Sequence, residues 1–285
     1  MMEPTPFLMG ALLGGLYALL ALGLSLVFGV MRIINVAHGD FVLLATYLAY
    51  ALFTYAGVDP FLSLCLLVPA MFLFGFIVQR YLFSRFLLRS AEAALIVAFG
   101  MSLVIQNLHQ ILWSPMSRGL TTPYSLKALD LGQVFIPFTY LLDFLVSLGA
   151  MVALHAFLSK TFLGKAIRAA SQDLKAAQMV GINYRTVFAV SFGIAMVTAA
   201  MAGICLGLTF PFNPQSGVSF LIIAFGVVII GGLGSMIGTF LGGVILGVAQ
   251  VVSAELLGSA AQMLVVYALV LLILALRPQG LFGVR

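Results

Sequence analysis

Long charge-free apolar intervals alternate along this chain with short polar segments, and the spacing of the interruptions predicts its elements. About 20 apolar residues cross the hydrocarbon core of a bilayer as one helix. Pro4–Met31, Phe41–Val58, Pro60–Gln79 and Ala93–Ser117 each accommodate one such span; Ile136–Leu158 supplies a fifth, interrupted by Asp143, and Leu256–Leu276 the last. Between them Thr186–Ala254 carries no charge. It is long enough for about three crossings if Pro211–Gly217 and Gly231–Ser235 are breaks. The expected architecture is all-α: a polytopic membrane protein with nine transmembrane helices, or eight with a broken or re-entrant piece near Gly231–Ser235. Residues 1–285 read as one transmembrane domain, with no soluble domain, linker or low-complexity tract.

Composition agrees with the pattern. Apolar residues make up 63% of the 285 and charged residues 7%, against about 25% charged in soluble domains. The net charge of +5 is not a nucleic-acid footprint, because the basic residues fall in short blocks between spans, where they report orientation. The blocks Arg80–Arg89, Lys160–Arg185 and Arg277–Arg285 are placed on the cytoplasmic side. Parity then puts the N-terminus outside beside Glu3 and the C-terminus inside, with Trp113–Phe135 as an outer loop carrying Arg118, Lys127 and Asp130. The first apolar run exceeds a signal-peptide core and is expected to stay as a span. Cys65 and Cys205 lie in apolar runs and read as small hydrophobes.

The candidate chemistry lies in a few polar positions. Ser159–Arg185 is a cytoplasmic loop with five basic residues. In it Lys165, Arg168, Gln172 and Lys175 share helical spacing beside an apolar stripe of Ile167, Ala170, Leu174 and Ala177. This is either an amphipathic helix resting on headgroups or a docking helix for a soluble partner. Asn35, His38 and Asp40 cluster around Gly39 at the inner end of the first span, as a capped turn or as a gate element. His38 has no second His or Cys nearby in sequence, which argues against a metal site. On the fourth span Gln106, His109 and Gln110 share one face. The rise per residue puts them near the outer interface, where solvation explains them, with Asn107 the pathway candidate. Asp143, about 10 Å into the membrane by the same rise, needs a protein or water partner. Gln106 and Asn107 are its nearest candidates. His155 reads as interfacial. The spacings Gly10/Gly14, Gly203/Gly207, Gly234/Gly238/Gly242 and Gly243/Gly247 permit close backbone packing of helices.

KAAQMVGI (Lys175–Ile182) resembles the EAA-type loop of ABC-importer permeases, with Ala176, Ala177 and Gly181 at its small positions and Lys175 where a Glu is usual. INVAHGDFVLLATY (Ile34–Tyr47), GKAIRAASQDLKAAQMVGIN (Gly164–Asn183), AFGVVIIGGLGSMIGTFLGGVILG (Ala224–Gly247) and RPQGLFG (Arg277–Gly283) together resemble the LivH-type permease of branched-chain amino-acid ABC importers. The match runs in order from about Gly10 to Gly283. Ile223 departs from it, since many members carry Lys there.

The resemblance implies a multi-pass permease subunit of the bacterial inner membrane that moves branched-chain or related neutral amino acids by alternating access. Its coupling loop, residues 159–185, would act through Gly164, Arg168, Lys175, Ala176, Ala177 and Gly181. Asn35, His38, Asp40, Asn107 and Asp143 are the candidates for a pathway or gate. The implied partners are a second, related permease chain, two cytosolic ATPases that use ATP and Mg, an extracytoplasmic binding protein and the lipid bilayer. No G-x-x-x-x-G-K-[ST] phosphate loop occurs in the chain, and no cofactor is expected to bind it. A self-sufficient carrier or channel is the alternative. It would need an intramembrane coupling site, and Asp143 is almost the only deep acid in the sequence.

Overall fold

The computed structural model describes residues 5–87, 90–130 and 135–283; Glu3, Arg89 and Arg285, named above, lie outside them. The chain runs through α1 (Thr5–Met31), α2 (His38–Ala56) and α3 (Pro60–Ile77), the last continuing through a π-helical turn, Val78–Phe83, into α4 (Ser84–Leu87). α5 (Ala91–Trp113) follows, then a two-stranded hairpin of β1 (Ala128–Asp130) and β2 (Phe135–Pro137), and α6 (Phe138–Lys160). The short helices α7 (Phe162–Gln172) and α8 (Leu174–Met179) precede α9 (Tyr184–Thr209), α10 (Ser216–Gly231), α11 (Met236–Leu257) and α12 (Gln262–Leu276). Seven of these helices are long and apolar enough to cross a membrane, with the last stretch of α3 to α4 counted as one; α10 and α12 are apolar but shorter. Polar punctuation sets the helix starts. Asp59, Ser90, Thr161, Asp173, Asn183 and Ser235 each accept a backbone N–H of the following first turn, satisfying donors that have no partner inside the helix.

α1 is apolar all round and almost wholly buried, as a helix at the centre of a bundle must be. It packs antiparallel along α11. Gly10 meets the backbone at Gly247 and Val248, Gly14 meets Gly243 and Val244, and Gly29 meets Gly234. Thr239 donates to Ser25 at 2.8 Å in the same seam. The small-residue spacing expected to allow close approach does so here.

α1 and α9 occupy corresponding places. Each is followed by a six-residue connection, 32–37 and 210–215, and then by a helix that starts inside the bundle. α1 packs on α9, α10 and α11, and α9 on α1, α2 and α3. α2 and α10 meet at their N-termini, Gly39 against Gly217. The two three-helix units are thus related as inverted repeats, whose discontinuous helices meet near mid-bundle.

Depth follows from one contact. His38, the first residue of α2, donates from Nε2 to the Leu20 carbonyl at 2.9 Å. Leu20 lies about 16 Å along α1 from its end at Met31, at about 1.5 Å per residue. Asn35, His38 and Asp40 therefore sit near mid-bundle, not at the inner end of the first span. The interruption at Gly231–Ser235 is a tight turn between α10 and α11, with Gly232 and Gly234 at positive φ. It lies at the bundle's end against Gly29 and Gly283. The re-entry into the bundle is made by residues 32–37 and 210–215 instead.

The two ends of the bundle are distinct. Asp59, Tyr124, Arg118 and Phe212 gather at one. The α10–α11 turn, α7 and the C-terminal Gly280–Gly283 gather at the other. Arg118 at the first end fastens the loop: its guanidinium donates to the Trp113 carbonyl at 2.6 and 3.1 Å and to the Tyr50 hydroxyl at 2.7 Å.

Candidate functional site

Two arrangements emerge from the expected residues, one at mid-bundle and one in the loop between α6 and α9. At mid-bundle the crossing of α2 and α10 leaves no room for side chains. A Cβ on Gly39 would overlap the Gly217 carbonyl, and one on Gly217 would overlap the Asp40 carboxylate. Asp40 is 1% exposed. It accepts from the Ser102 hydroxyl at 2.5 Å and from the Gln106 amide at 3.1 and 3.3 Å, while Gln106 also donates to Ser102 at 3.1 Å. Asn35 caps the preceding turn through Oδ1 to the Ala37 amide at 3.2 Å. Carboxylate, hydroxyl and amide thus converge where two helix N-termini, each the positive end of its dipole, come together.

Several expectations about partners change. Gln106 belongs to Asp40, not to Asp143, and is not interfacial. His109 is fully buried and stacked on Tyr47, ring centroids 4.4 Å apart, with Trp113 beside both. Asn107 is exposed and donates to its own helix at the Leu103 carbonyl, apart from the Asp40 cluster. Asp143 accepts from the Thr209 hydroxyl at 2.7 Å, clamping α6 to the end of α9, with Cys205 also against it. Gln106 and Asn107 were its neighbours in sequence order only; the fold puts α9 beside α6. No spacing signal links positions 40, 102 and 106, and the depth of Asp40 became visible only with the His38 contact.

The loop of residues 159–185 folds back on the bundle. Gly164 is buried where a Cβ would overlap the Phe157 carbonyl and Leu158, so it permits the sharp reversal from α6 into α7. Ile167, Ala170 and Ala177 are buried, and Arg168 and Lys175 are exposed. Asp173 breaks the helix and caps α8. Gly181, at φ 86, ends the element. The small pair was expected to face a partner, but Ala177 is 4% exposed and packs inward. The outward apolar residues are Phe162 at the start of α7, 85% exposed, with Leu163 beside it, and Met179 and Val180, 83% and 77% exposed at the loop's tip. A cleft of about 460 Å³ lies between α7 and the α10–α11 turn, lined by Gly29, Val30, His155, Leu158, Arg168, Ser171 and Ser235 among others.

Residues 7–275 match the family model described as the permease component of branched-chain amino acid transport systems. The chain belongs to this family. The permease is 32% identical over 96% of its length to the high-affinity branched-chain amino acid transport system permease protein BraD of Pseudomonas aeruginosa, covering 94% of that protein. It is equally identical, over the same share, to LivH of Escherichia coli, covering 93% of it. A probable LivH of Methanocaldococcus jannaschii is 28% identical over 86% of the permease and 79% of its own length. No solved structure matches. The permease is a multi-pass protein of the bacterial inner membrane and a component that works with other subunits.

Proposed function

We propose that this chain is one of two membrane subunits of an ABC importer for branched-chain or related neutral amino acids, and that a related but different chain is the second. Two cytosolic ATPases, which use ATP and Mg, dock on the α7–α8 loop, and an extracytoplasmic binding protein delivers the solute. ATP hydrolysis takes place in those subunits and not in this chain. Alternating access moves the solute past the crossing of α2 and α10, with Asn35 holding the turn, His38 tying α2 to α1 and Asp40 presenting the carboxylate. Asp143 serves the α6–α9 clamp.

The observation that carries the reading is the two-sided loop. Its inner face is packed into the permease through Ile167, Ala170 and Ala177, and its tip leaves Met179 and Val180 exposed, on the side that the loop's basic excess assigns to the cytoplasm. Exposed apolar anchors of this size are costly in water and suit a buried contact with a partner. Motion of that partner would be passed to the ends of α6 and α9, which the loop joins. The test is uptake of radiolabelled leucine in cells expressing the complete importer, with and without this chain. Uptake that is unchanged by its deletion would end the proposal.

A further inference from the structure

The contact between α2 and α5 is built unlike the rest of the bundle. Along α5 the buried positions are Ala94, Ala98, Ser102, Ile105 and His109, one stripe at helical spacing. Toward the outer end this stripe becomes polar, through Ser102, Gln106 and His109. The facing stripe of α2 is Asp40, Tyr47 and Tyr50, the last tied to Arg118. Two groups on it lack partners. Both ring nitrogens of His109 and the Tyr47 hydroxyl make no hydrogen bond, although both residues are fully buried. Buried polar atoms are nearly always satisfied, so these are groups that some other occupant of the seam would serve. Asp40 is in a related position. Among the described residues its partners are a hydroxyl and an amide and include no cation, and an intramembrane carboxylate marks a candidate functional site. α5 packs chiefly on α2 and α4, while its opposite face, with Ile96, Val104 and Ile111, is exposed and apolar.

We propose that the α2–α5 seam is a solute-binding cleft in which the Asp40 carboxylate receives the solute's α-ammonium group. Ser102 and Gln106 hold that carboxylate in place, and Tyr47 and His109 offer hydrogen bonds on the outer approach. The proposal rests on the amino-acid import reading and narrows it: the recognised class is solutes with a free ammonium rather than neutral amides or urea-like compounds, whose N–H groups donate to a carboxylate without neutralising it.

The test is alkylation of Ile105→Cys, on the seam face of α5 between Ser102 and His109, in a Cys65→Ser background, Cys205 being buried, with the full-length chain purified together with its partner subunits. Leucine at about ten times its dissociation constant is expected to slow alkylation roughly tenfold, since the protected fraction follows mass action. The isosteric acid without the amine, 4-methylpentanoate, is expected to leave the rate unchanged. Asp40→Asn should abolish protection without changing the unprotected rate, and Asp40→Glu should restore part of it. Equal protection by both solutes, protection by neither, or protection that survives Asp40→Asn overturns the site. If Ile105→Cys does not reach the membrane, Ala98→Cys, on the same stripe, is read by the same criteria. Wild-type leucine uptake with no protection refutes the cleft alone, whereas absence of amino-acid uptake by the wild type refutes the importer reading beneath it.

Discussion

Gly39 at the start of α2 and Gly217 at the start of α10 cross backbone to backbone, so closely that a Cβ on either would overlap the other segment. The α2 segment is held in place, because Asp40 is tied to α5 and His38 to α1. Gly39→Ala is expected to destabilise the protein by about 1–3 kcal/mol, the usual cost of overpacking, although Ala is otherwise the better helix former. Thermal unfolding in detergent, compared with Gly100→Ala on α5 where an added Cβ meets nothing within 4 Å, measures it. An equal effect of the two substitutions would refute the close crossing.

Thr209 satisfies one oxygen of the buried Asp143. Thr209→Val keeps the shape and removes the donor, and is expected to cost about 1–3 kcal/mol for the acceptor left short of a bond. Thr209→Ser keeps the donor and should lie closer to wild type. A denaturation midpoint for the Val variant at or above that of the Ser variant would mean that the hydroxyl is not holding the carboxylate.

Met179 and Val180 project from the loop tip while Ala177 points inward. Met179→Asp with Val180→Asp should therefore leave membrane abundance intact and weaken ATPase association, by about 2 kcal/mol or roughly 30-fold if the pair is an interface anchor. Ala177→Glu should act differently, lowering abundance of the permease itself, because it buries a charge within the chain. Pull-down of ATPase subunits normalised to membrane-inserted permease separates the two. Loss of association with Ala177→Glu at normal abundance, and none with the tip variants, would invert the assignment.

Ser171 lies at the end of the bundle where the basic residues collect, and Thr121 at the end fastened by Arg118. In intact cells a membrane-impermeant thiol reagent should modify Thr121→Cys and not Ser171→Cys, as the basic excess requires. The opposite pattern would reverse the orientation.

Much of the architecture is legible in the sequence. Span positions follow from hydrocarbon thickness, and the close helix packing of the α1–α11 seam from the glycine spacing. These are local properties, set by what a residue can do with its near neighbours and with lipid. The loop's apolar stripe was legible for the same reason, since Ile167 and Ala170 share one face of α7; Asp173 then starts α8, and Ala177 packs inward from that separate helix.

What the linear order could not carry is depth and partnership. Residues 32–37 look like a turn between two spans, and only the reach of His38 to Leu20 reveals that the chain climbs back into the bundle. Asp40 and Gln106 are separated by 66 positions, and no periodicity links them. Asp143 likewise found Thr209, because α9 packs beside α6. Whether Ala177 faces a partner or its own chain was decided by the bundle surface that α8 lies on. The sequence by itself determined an all-α membrane protein, its spans, its polar punctuation and its family. Tertiary structure alone decided which buried polar groups meet, because a carboxylate at mid-bundle must be satisfied by whatever the packing of distant helices brings within hydrogen-bond reach.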